Sequence, residues 1–175
     1  MKPLLPLALA ALSSLVVSQA AFAHASLETK TAPAGSHYKG VIKIGHGCDG
    51  AATQTLRVQL PLEVQHAKPM PKAGWQLELK REKLDVPYDY YGTQVSEDVR
   101  ELVWTGGNLS DDHYDEFVFT ARLAGEPGET LYLNTIQECT QGELRWTEIP
   151  ADGQDPHDLP HPAPAITLTE AKHHH

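Results

Sequence analysis

The stretch Thr55-Leu56-Arg57-Val58-Gln59-Leu60 alternates apolar and polar side chains at every step. A period of two places Leu56, Val58 and Leu60 on one face of a β-strand. Similar short β-rich runs occupy residues 41–44, 75–80, 99–104, 116–123, 130–136 and 143–149. Gly, Pro, Asn and Asp separate these runs, and no stretch of ten residues after position 23 has the apolar period of an α-helix.

Seven or eight strands at this spacing predict an all-β protein, an antiparallel β-sandwich of the immunoglobulin or fibronectin-III type. Alternation predicts that the inward-facing side chains of three further strands are Trp75, Leu77, Leu79, Phe117, Phe119, Ala121, Leu131 and Leu133. Residues 85–98 are predicted to form a long loop or an irregular hairpin. The proline-rich residues 150–165 are predicted to form an extended tail, laid along the sandwich or loose, and we favour a solvated terminus over a metal-collecting segment.

Residues 1–23 have the features of a cleaved signal peptide. Lys2 supplies a positive start, an interrupted apolar run follows from Leu4, and Ala21-Phe22-Ala23 has the small-x-small pattern of a cleavage site. We therefore expect a periplasmic or extracellular protein with one domain over residues 24–165 and a tail over 166–175. The histidines that close this tail are either natural or a tag remnant. No later stretch resembles a membrane span.

The formal net charge of −9 argues against nucleic-acid binding, which needs clustered Lys and Arg. No nucleophile elbow, zinc-protease helix, phosphate-binding loop or dinucleotide fingerprint occurs in the chain. We therefore expect a protein that binds rather than an enzyme.

Two cysteines, Cys48 and Cys139, are present in this predicted exported chain. The compartment favours one disulfide between them, because oxidised pairs persist outside the cytoplasm. Such a bond would close a loop of about ninety residues and contribute roughly 4 to 5 kcal/mol through chain entropy. The alternative is a pair of thiolate metal ligands, which the lack of a Cys-X-X-Cys motif disfavours.

Cleavage after Ala23 would make His24 the first residue of the mature protein. Its α-amine and its ring Nδ1 can then chelate one metal ion. Cu(II) suits this chelate, because copper heads the affinity order of divalent metals and favours nitrogen ligands in a square arrangement. His46 lies in the glycine-rich turn Gly45–Gly50 and is a candidate further ligand, although it can equally serve the turn. Trp146 is a candidate to cover the metal with its indole, although a strand tryptophan usually packs in a core.

Several segments resemble, in order and spacing, the YcnI-like copper-binding domain, a bacterial exported domain. The resemblance runs from His24 to about Pro164. The matching segments are His24–Glu28, Ala34–Lys39, His46–Cys48, Lys68–Pro71, Gly74–Trp75, Val103–Gly107, Asp115–Phe117, Gln137–Cys139 and Arg145–Trp146.

This resemblance implies an exported β-sandwich that binds Cu(II) through its terminal histidine, a single-histidine brace, with a tryptophan nearby. By position these residues are His24 and Trp146. The family's carboxylate ligand would follow the Ala34–Ser36 turn, where this chain has His37-Tyr38-Lys39. His46, ranked first, Glu28 or water can replace it. The implied role is copper handling together with other copper-trafficking proteins.

Two other functions stay open at this point. A copper oxidase or polysaccharide monooxygenase also begins with histidine on a β-sandwich, and it needs a second histidine, for which His46 and His66 are available. A metal-free interaction domain would use neither.

Overall fold

A computed structural model of the protein describes residues 24–171, which form twelve β-strands and one short 3₁₀ turn, without an α-helix in that range. The strands are β1 (Ser26–Leu27), β2 (Thr31–Pro33), β3 (His37–Ile44), β4 (Thr53–Gln59), β5 (Val64–Pro69), β6 (Gln76–Tyr90), β7 (Thr93–Leu109), β8 (Asp115–Leu123), β9 (Thr130–Tyr132), β10 (Asn134–Cys139), β11 (Glu143–Trp146) and β12 (Ala165–Thr169). The predicted signal peptide and the terminal histidines His173–His175 lie outside the described residues. Over the described part of the chain, no helix has the length and apolar character needed to cross a membrane.

The strands form two main sheets and one small sheet. One main sheet has the order β1-β3-β8-β5, the other has the order β11-β10-β4-β7-β6, and both are antiparallel. The small sheet, β2-β12-β9, contains the parallel pair β12–β2. The prediction of an all-β antiparallel sandwich is confirmed, with more strands than the seven or eight expected.

The core lies between the two main sheets, where the period-two runs place their apolar faces. Leu56 and Val58 of β4 and Phe117 and Phe119 of β8 are all fully buried, as predicted. Phe117 packs edge to face against Trp104 of β7, with ring centroids 5.5 Å apart. Aromatic pairs of this geometry join the sheets through contacts beyond simple area burial.

The inward orientation predicted for Trp75, Leu77 and Leu79 is correct only in part. Trp75 and Leu77 are half-buried and pack on the core, whereas Leu79 is 39% exposed. These residues lie on or next to β6, the edge strand of its sheet. Side chains at the edge of a sheet have fewer neighbours to cover them, and alternation alone does not reveal which strand is at the edge.

The run 130–136, predicted as one strand, is divided between two sheets at Leu133. Tyr132 of β9 pairs with Ala165 of β12, and Asn134 of β10 pairs with Gln59 of β4. Between them the Leu133 N–H donates to Pro164 O at 2.8 Å. Leu133 itself is buried, as predicted. Strand β12 carries the sandwich past the predicted domain end at residue 165.

The irregular hairpin predicted within residues 85–98 is the outer part of the long β6–β7 pair. Its turn, Tyr91-Gly92, has positive φ at both positions (52° and 84°), as the mirror-image turns of tight hairpins require. The pairing is interrupted by register shifts after Lys80 and after Lys83. Beyond them the hairpin returns to the main body, where Tyr90 stacks on His66 with ring centroids 4.2 Å apart.

A buried carboxylate, Asp98, connects this hairpin to β5. Its oxygens accept hydrogen bonds from Tyr88 Oη at 2.7 Å, from the His66 N–H at 2.8 Å and from Arg100 Nη2 at 3.1 Å. Asp98 and Arg100 are 2% and 7% exposed. Burial and the bond to the Asp98 carboxylate raise the pKa of Tyr88 well above its usual value, so this phenol keeps its proton.

We expect Gly40→Ala to lower the free energy of unfolding by about 1–3 kcal/mol, the usual cost of overpacking. Gly40 pairs with Phe119 across β3 and β8, and a Cβ at Gly40 would lie 2.3 Å from two atoms of the buried Phe119 ring. Urea unfolding measures the loss. Thr120→Ala, at an exposed position of the same strand pair, is the control and should change stability by no more than about 0.5 kcal/mol. Equal losses of unfolding free energy in the two variants would mean that the Phe119 ring moves aside for the added methyl group.

Candidate metal centre

Strand pairing brings His24 to the end of β3 and to the turn that follows it. Ser26 of β1 pairs with Lys43 of β3, so the residues before Ser26 run beside those after Ile44. That turn contains His46. The side chain of His24 is partly buried there rather than projecting into solvent.

The turn is held by a disulfide between Cys48 and Cys139, whose Cα atoms are 6.0 Å apart. This confirms the predicted pairing and removes both sulfurs as thiolate ligands. Two hydrogen bonds add to it: Gln137 Nε2 donates to His46 O at 2.6 Å, and the Gly47 N–H donates to Asp111 Oδ1 at 2.8 Å. The peptide unit that joins His46 to Gly47 is therefore fixed to β10 and to the loop after β7.

Trp146 lies between the histidine rings of this region and is 2% exposed. Its Nε1–H donates to the buried Gln137 Oε1 at 3.1 Å, which fixes the plane of the indole. The ring centroid lies 5.7 Å from that of His24 and 6.2 Å from that of His46, both in edge-on orientation. The indole nitrogen is thus occupied, and Trp146 contributes a rigid apolar surface rather than a metal-binding atom.

Two further histidines complete the surroundings of Trp146 and His24. The ring centroid of His161 lies 5.2 Å from that of Trp146, and the centroid of His157 lies 6.3 Å from that of His24. Both come from residues 150–164, which we call the histidine strap. The expected tail lies along the sandwich, and the preference for a solvated terminus is wrong for residues 162–164, which are buried. Their only sequence signal is two histidines in a proline-rich segment.

The His46 ring has a defined orientation. Its Nδ1 lies 2.5 Å from the carbonyl oxygen of Gly47. Because a carbonyl only accepts hydrogen bonds, Nδ1 carries the proton. In the neutral ring Nε2 then holds the lone pair, which is the nitrogen state that metals bind.

The His24 imidazole is in an environment that favours its neutral form. Burial lowers the pKa of this ring, and the nearby imidazoles of His157, His161 and His46 lower it further by charge repulsion. Imidazole binds metal only when deprotonated at the ligating nitrogen, so this environment suits a metal ligand.

Among residues 24–171, no three His, Cys, Asp or Glu side chains are grouped closely enough to hold a metal ion by themselves. A free amine on His24 would add a main-chain nitrogen beside its own ring, so fewer side chains are needed. The donors present are imidazoles, which suit copper, zinc and nickel rather than magnesium or calcium. In its donor chemistry the region therefore fits a nitrogen-rich copper site.

A partly open cleft of about 770 Å³ adjoins this region. His24 and His157 both line it, together with the apolar rings of Pro156 and Pro162. The cleft gives an ion or a small donor group a route to both histidines.

The positions suggested for a carboxylate ligand lie elsewhere. His37 begins β3, six residues before Lys43, which at the usual strand rise is about 20 Å away. Its Nε2 lies 2.9 Å from Tyr91 Oη. The backbone of Glu28 bonds to Val41 O in the middle of β3. Neither residue is brought to His24.

His66 is also separate from the histidines around Trp146. It stacks on Tyr90 and its N–H binds Asp98, so it belongs to the connection between the β6–β7 hairpin and β5. Of the two histidines named for an oxidase, only His46 adjoins the predicted site.

The two packed antiparallel sheets define an immunoglobulin-like β-sandwich. The histidines described above lie together at one end of β3. The chain belongs to the family described as Domain of unknown function (DUF1775), whose model matches residues 24–168. This is the family to which YcnI belongs, so the resemblance found in the sequence is confirmed at the level of the family.

The chain is also similar to a solved structure, an uncharacterized protein from Nocardia farcinica whose crystal structure reveals an immunoglobulin-like fold. The TM-score is 0.63 at 20% sequence identity, and the match covers 83% of this chain and 98% of that chain. At this identity the likeness establishes the fold alone. No curated protein matches the sequence.

Proposed function

We propose that this chain is an exported Cu(II)-binding protein that handles copper without turnover, and that the metal is anchored by the amine and Nδ1 of a mature terminal His24. The observation that carries the proposal is the gathering of imidazoles around His24 and Trp146. His46 and Trp146 lie within 6.2 Å of one another by ring centroid, and His24 lies 5.7 Å from the same indole. These three residues are far apart in the sequence.

The donor set supports copper as the cargo. An amine and imidazoles are nitrogen donors, which suit the tetragonal preference of Cu(II). Both cysteines are bonded to each other, so no thiolate among the described residues competes for the metal. The rigid indole of Trp146 would cover one side of the ion and limit the access of water.

Two features support export and the location of the anchor. The family match begins at His24, the residue that follows the predicted cleavage site. The disulfide is of the kind that persists outside the reducing cytoplasm. We place the protein in the periplasm or outside the cell, where copper-trafficking proteins would deliver or remove the ion.

We favour a carrier over an oxidase because no catalytic motif accompanies the anchor in the sequence. The Trp146 indole lies beside both histidines, with ring centroids 5.7 Å from His24 and 6.2 Å from His46. The buried indole supplies no metal-binding atom, because its Nε1–H already donates to Gln137. We therefore infer binding and transfer of the ion.

One residue added before His24 should abolish tight copper binding. The extended protein keeps every side chain but moves the terminal amine away from the His24 ring, so the chelate cannot form. We expect the mature protein to bind one equivalent of Cu(II) and lose tryptophan emission, and the Ala-extended protein to bind at least about 100-fold more weakly. Titration against a chelator of known affinity measures both.

The control is His113→Ala, which removes an exposed imidazole from the loop after β7 and should leave the affinity unchanged. Mass spectrometry of the purified mature protein verifies that His24 is its first residue. An extended protein that retains the affinity of the mature form would rule out His24 as the anchor.

A further inference from the structure

The histidine strap is attached to the sandwich by its backbone on the carboxyl side of His157. The N–H groups of Thr147 and Glu148 both donate to His161 O, at 3.1 and 3.0 Å, and the Ala163 N–H donates to Glu148 O at 2.8 Å. In return the His161 N–H donates to Glu148 Oε2 at 2.5 Å. The strap is therefore fixed beside the end of β11, immediately after Trp146.

The His157 end of the strap also has a defined conformation. It forms a 3₁₀ turn over Pro156–Asp158, and the Asp155 side chain accepts the His157 N–H at 2.9 Å. His157 itself is exposed, so apolar burial does not account for the position of its ring. His157 instead lines the cleft that His24 also lines, and its ring centroid lies 6.3 Å from that of His24.

The separation of the two rings fits a shared ion. A metal-to-nitrogen distance of about 2.0 Å places the centroids of two imidazoles on opposite sides of one ion roughly 6 Å apart. The His24 and His157 centroids are 6.3 Å apart, with planes inclined by 35°. With the amine and Nδ1 both supplied by His24, one more imidazole makes three nitrogen donors.

Resting on the proposed function, we propose that His157 is the third nitrogen ligand of the copper ion and that the histidine strap is the element that supplies it. His161, packed on Trp146, anchors the strap. The ion would then be held between the first residue of the domain and a segment near its end. Because the cleft opens beside His157, this ligand is also the one that an incoming donor group on a partner protein can reach.

His157→Ala should remove one nitrogen from the copper coordination. Electron paramagnetic resonance of the mature protein with one equivalent of Cu(II) reports the number of nitrogen donors, and we expect one fewer in the variant. Competition titration should show that the Kd for copper rises by about 10- to 100-fold. Removing even an outer-shell partner of a metal ligand reduces metal affinity by this much. His113→Ala is the matched control. Because His157 is exposed, circular dichroism and the melting temperature of the metal-free variant should equal those of the parent protein.

The outcomes separate the two proposals. If the Ala-extended protein loses copper while His157→Ala keeps both its spectrum and its affinity, the strap inference is overturned and the proposed function stands. If the parent protein binds two equivalents and His157→Ala loses only the second, His157 belongs to an independent site, and the inference is again overturned. Retention of copper by the Ala-extended protein contradicts the proposed function itself.

Discussion

Replacing Cys48 and Cys139 together by alanine should lower the free energy of unfolding by about 4–5 kcal/mol. The bond spans 91 residues of sequence, so its loss frees a large part of the unfolded chain. Alanine is preferred to serine because Cys48 is buried, and a buried hydroxyl without a partner would add its own cost. Urea unfolding of the oxidised parent and of the double variant gives the difference.

Two further observations test the origin of this effect. After treatment with a reductant, the parent protein should unfold at the same urea concentration as the double variant, because both lack the cross-link. The slope of the free energy against urea should also rise, since an unlinked chain exposes more surface when it unfolds. A loss below about 1 kcal/mol would show that strain or residual structure cancels the entropic gain.

Asp98→Ala should lower the free energy of unfolding by about 3–5 kcal/mol, the typical cost of breaking a buried ion pair from one side. The change leaves the buried Arg100 guanidinium without its carboxylate, although two backbone carbonyls, of Pro61 and Val64, still accept from it. It also removes the acceptor of the His66 N–H. Urea unfolding monitored by tryptophan emission measures the loss.

Two variants calibrate the Asp98 result. Tyr88→Phe removes only one of the hydrogen bonds to the carboxylate and should cost about 1 kcal/mol. Glu97→Ala removes an exposed carboxylate next to Asp98 in β7 and should stay within about 0.5 kcal/mol of the parent. If Asp98→Ala costs no more than Tyr88→Phe, water enters the cavity and replaces the lost acceptor.

The sandwich could be predicted because apolar and polar side chains alternate along its central strands. Leu56, Val58, Phe117 and Phe119 are buried on the faces that a period of two assigns to them. The exposure of side chains on the edge strand β6 could not be predicted in the same way. Leu79 alternates as well as Leu56 does, yet it is exposed, because burial depends on which strand faces it and a single sequence does not give strand order.

The buried pair Asp98 and Arg100 illustrates the same limit for polar residues. Charged residues near a predicted loop are expected in solvent. Their burial depends on the return of the β6–β7 hairpin onto β5, a long-range contact without a local signal. This segment contains Tyr88, Tyr90 and Tyr91, and nothing local in the sequence indicates that the Tyr88 phenol binds Asp98.

Of the predicted site, the sequence provided the parts with a local signature. The cleavage pattern points to His24, the glycines to the turn of His46, and the cysteine count to the disulfide. The structure brings His24, His46 and Trp146 together. A metal-collecting role for the segment of His157 and His161 was the less favoured alternative, because its composition is that of a loose terminus. Backbone hydrogen bonds to Glu148 determine its path.

The histidine strap has a consequence for biogenesis. A polypeptide is made and passed across a membrane amino end first, so His24 would emerge long before His157, which follows more than a hundred residues later. If the terminus binds copper as proposed, it would lack the His157 ring until the late segment arrives and would hold the ion more weakly. Tight copper binding would then require a chain that has been fully translated and translocated. A prematurely truncated chain without His157 would bind copper weakly.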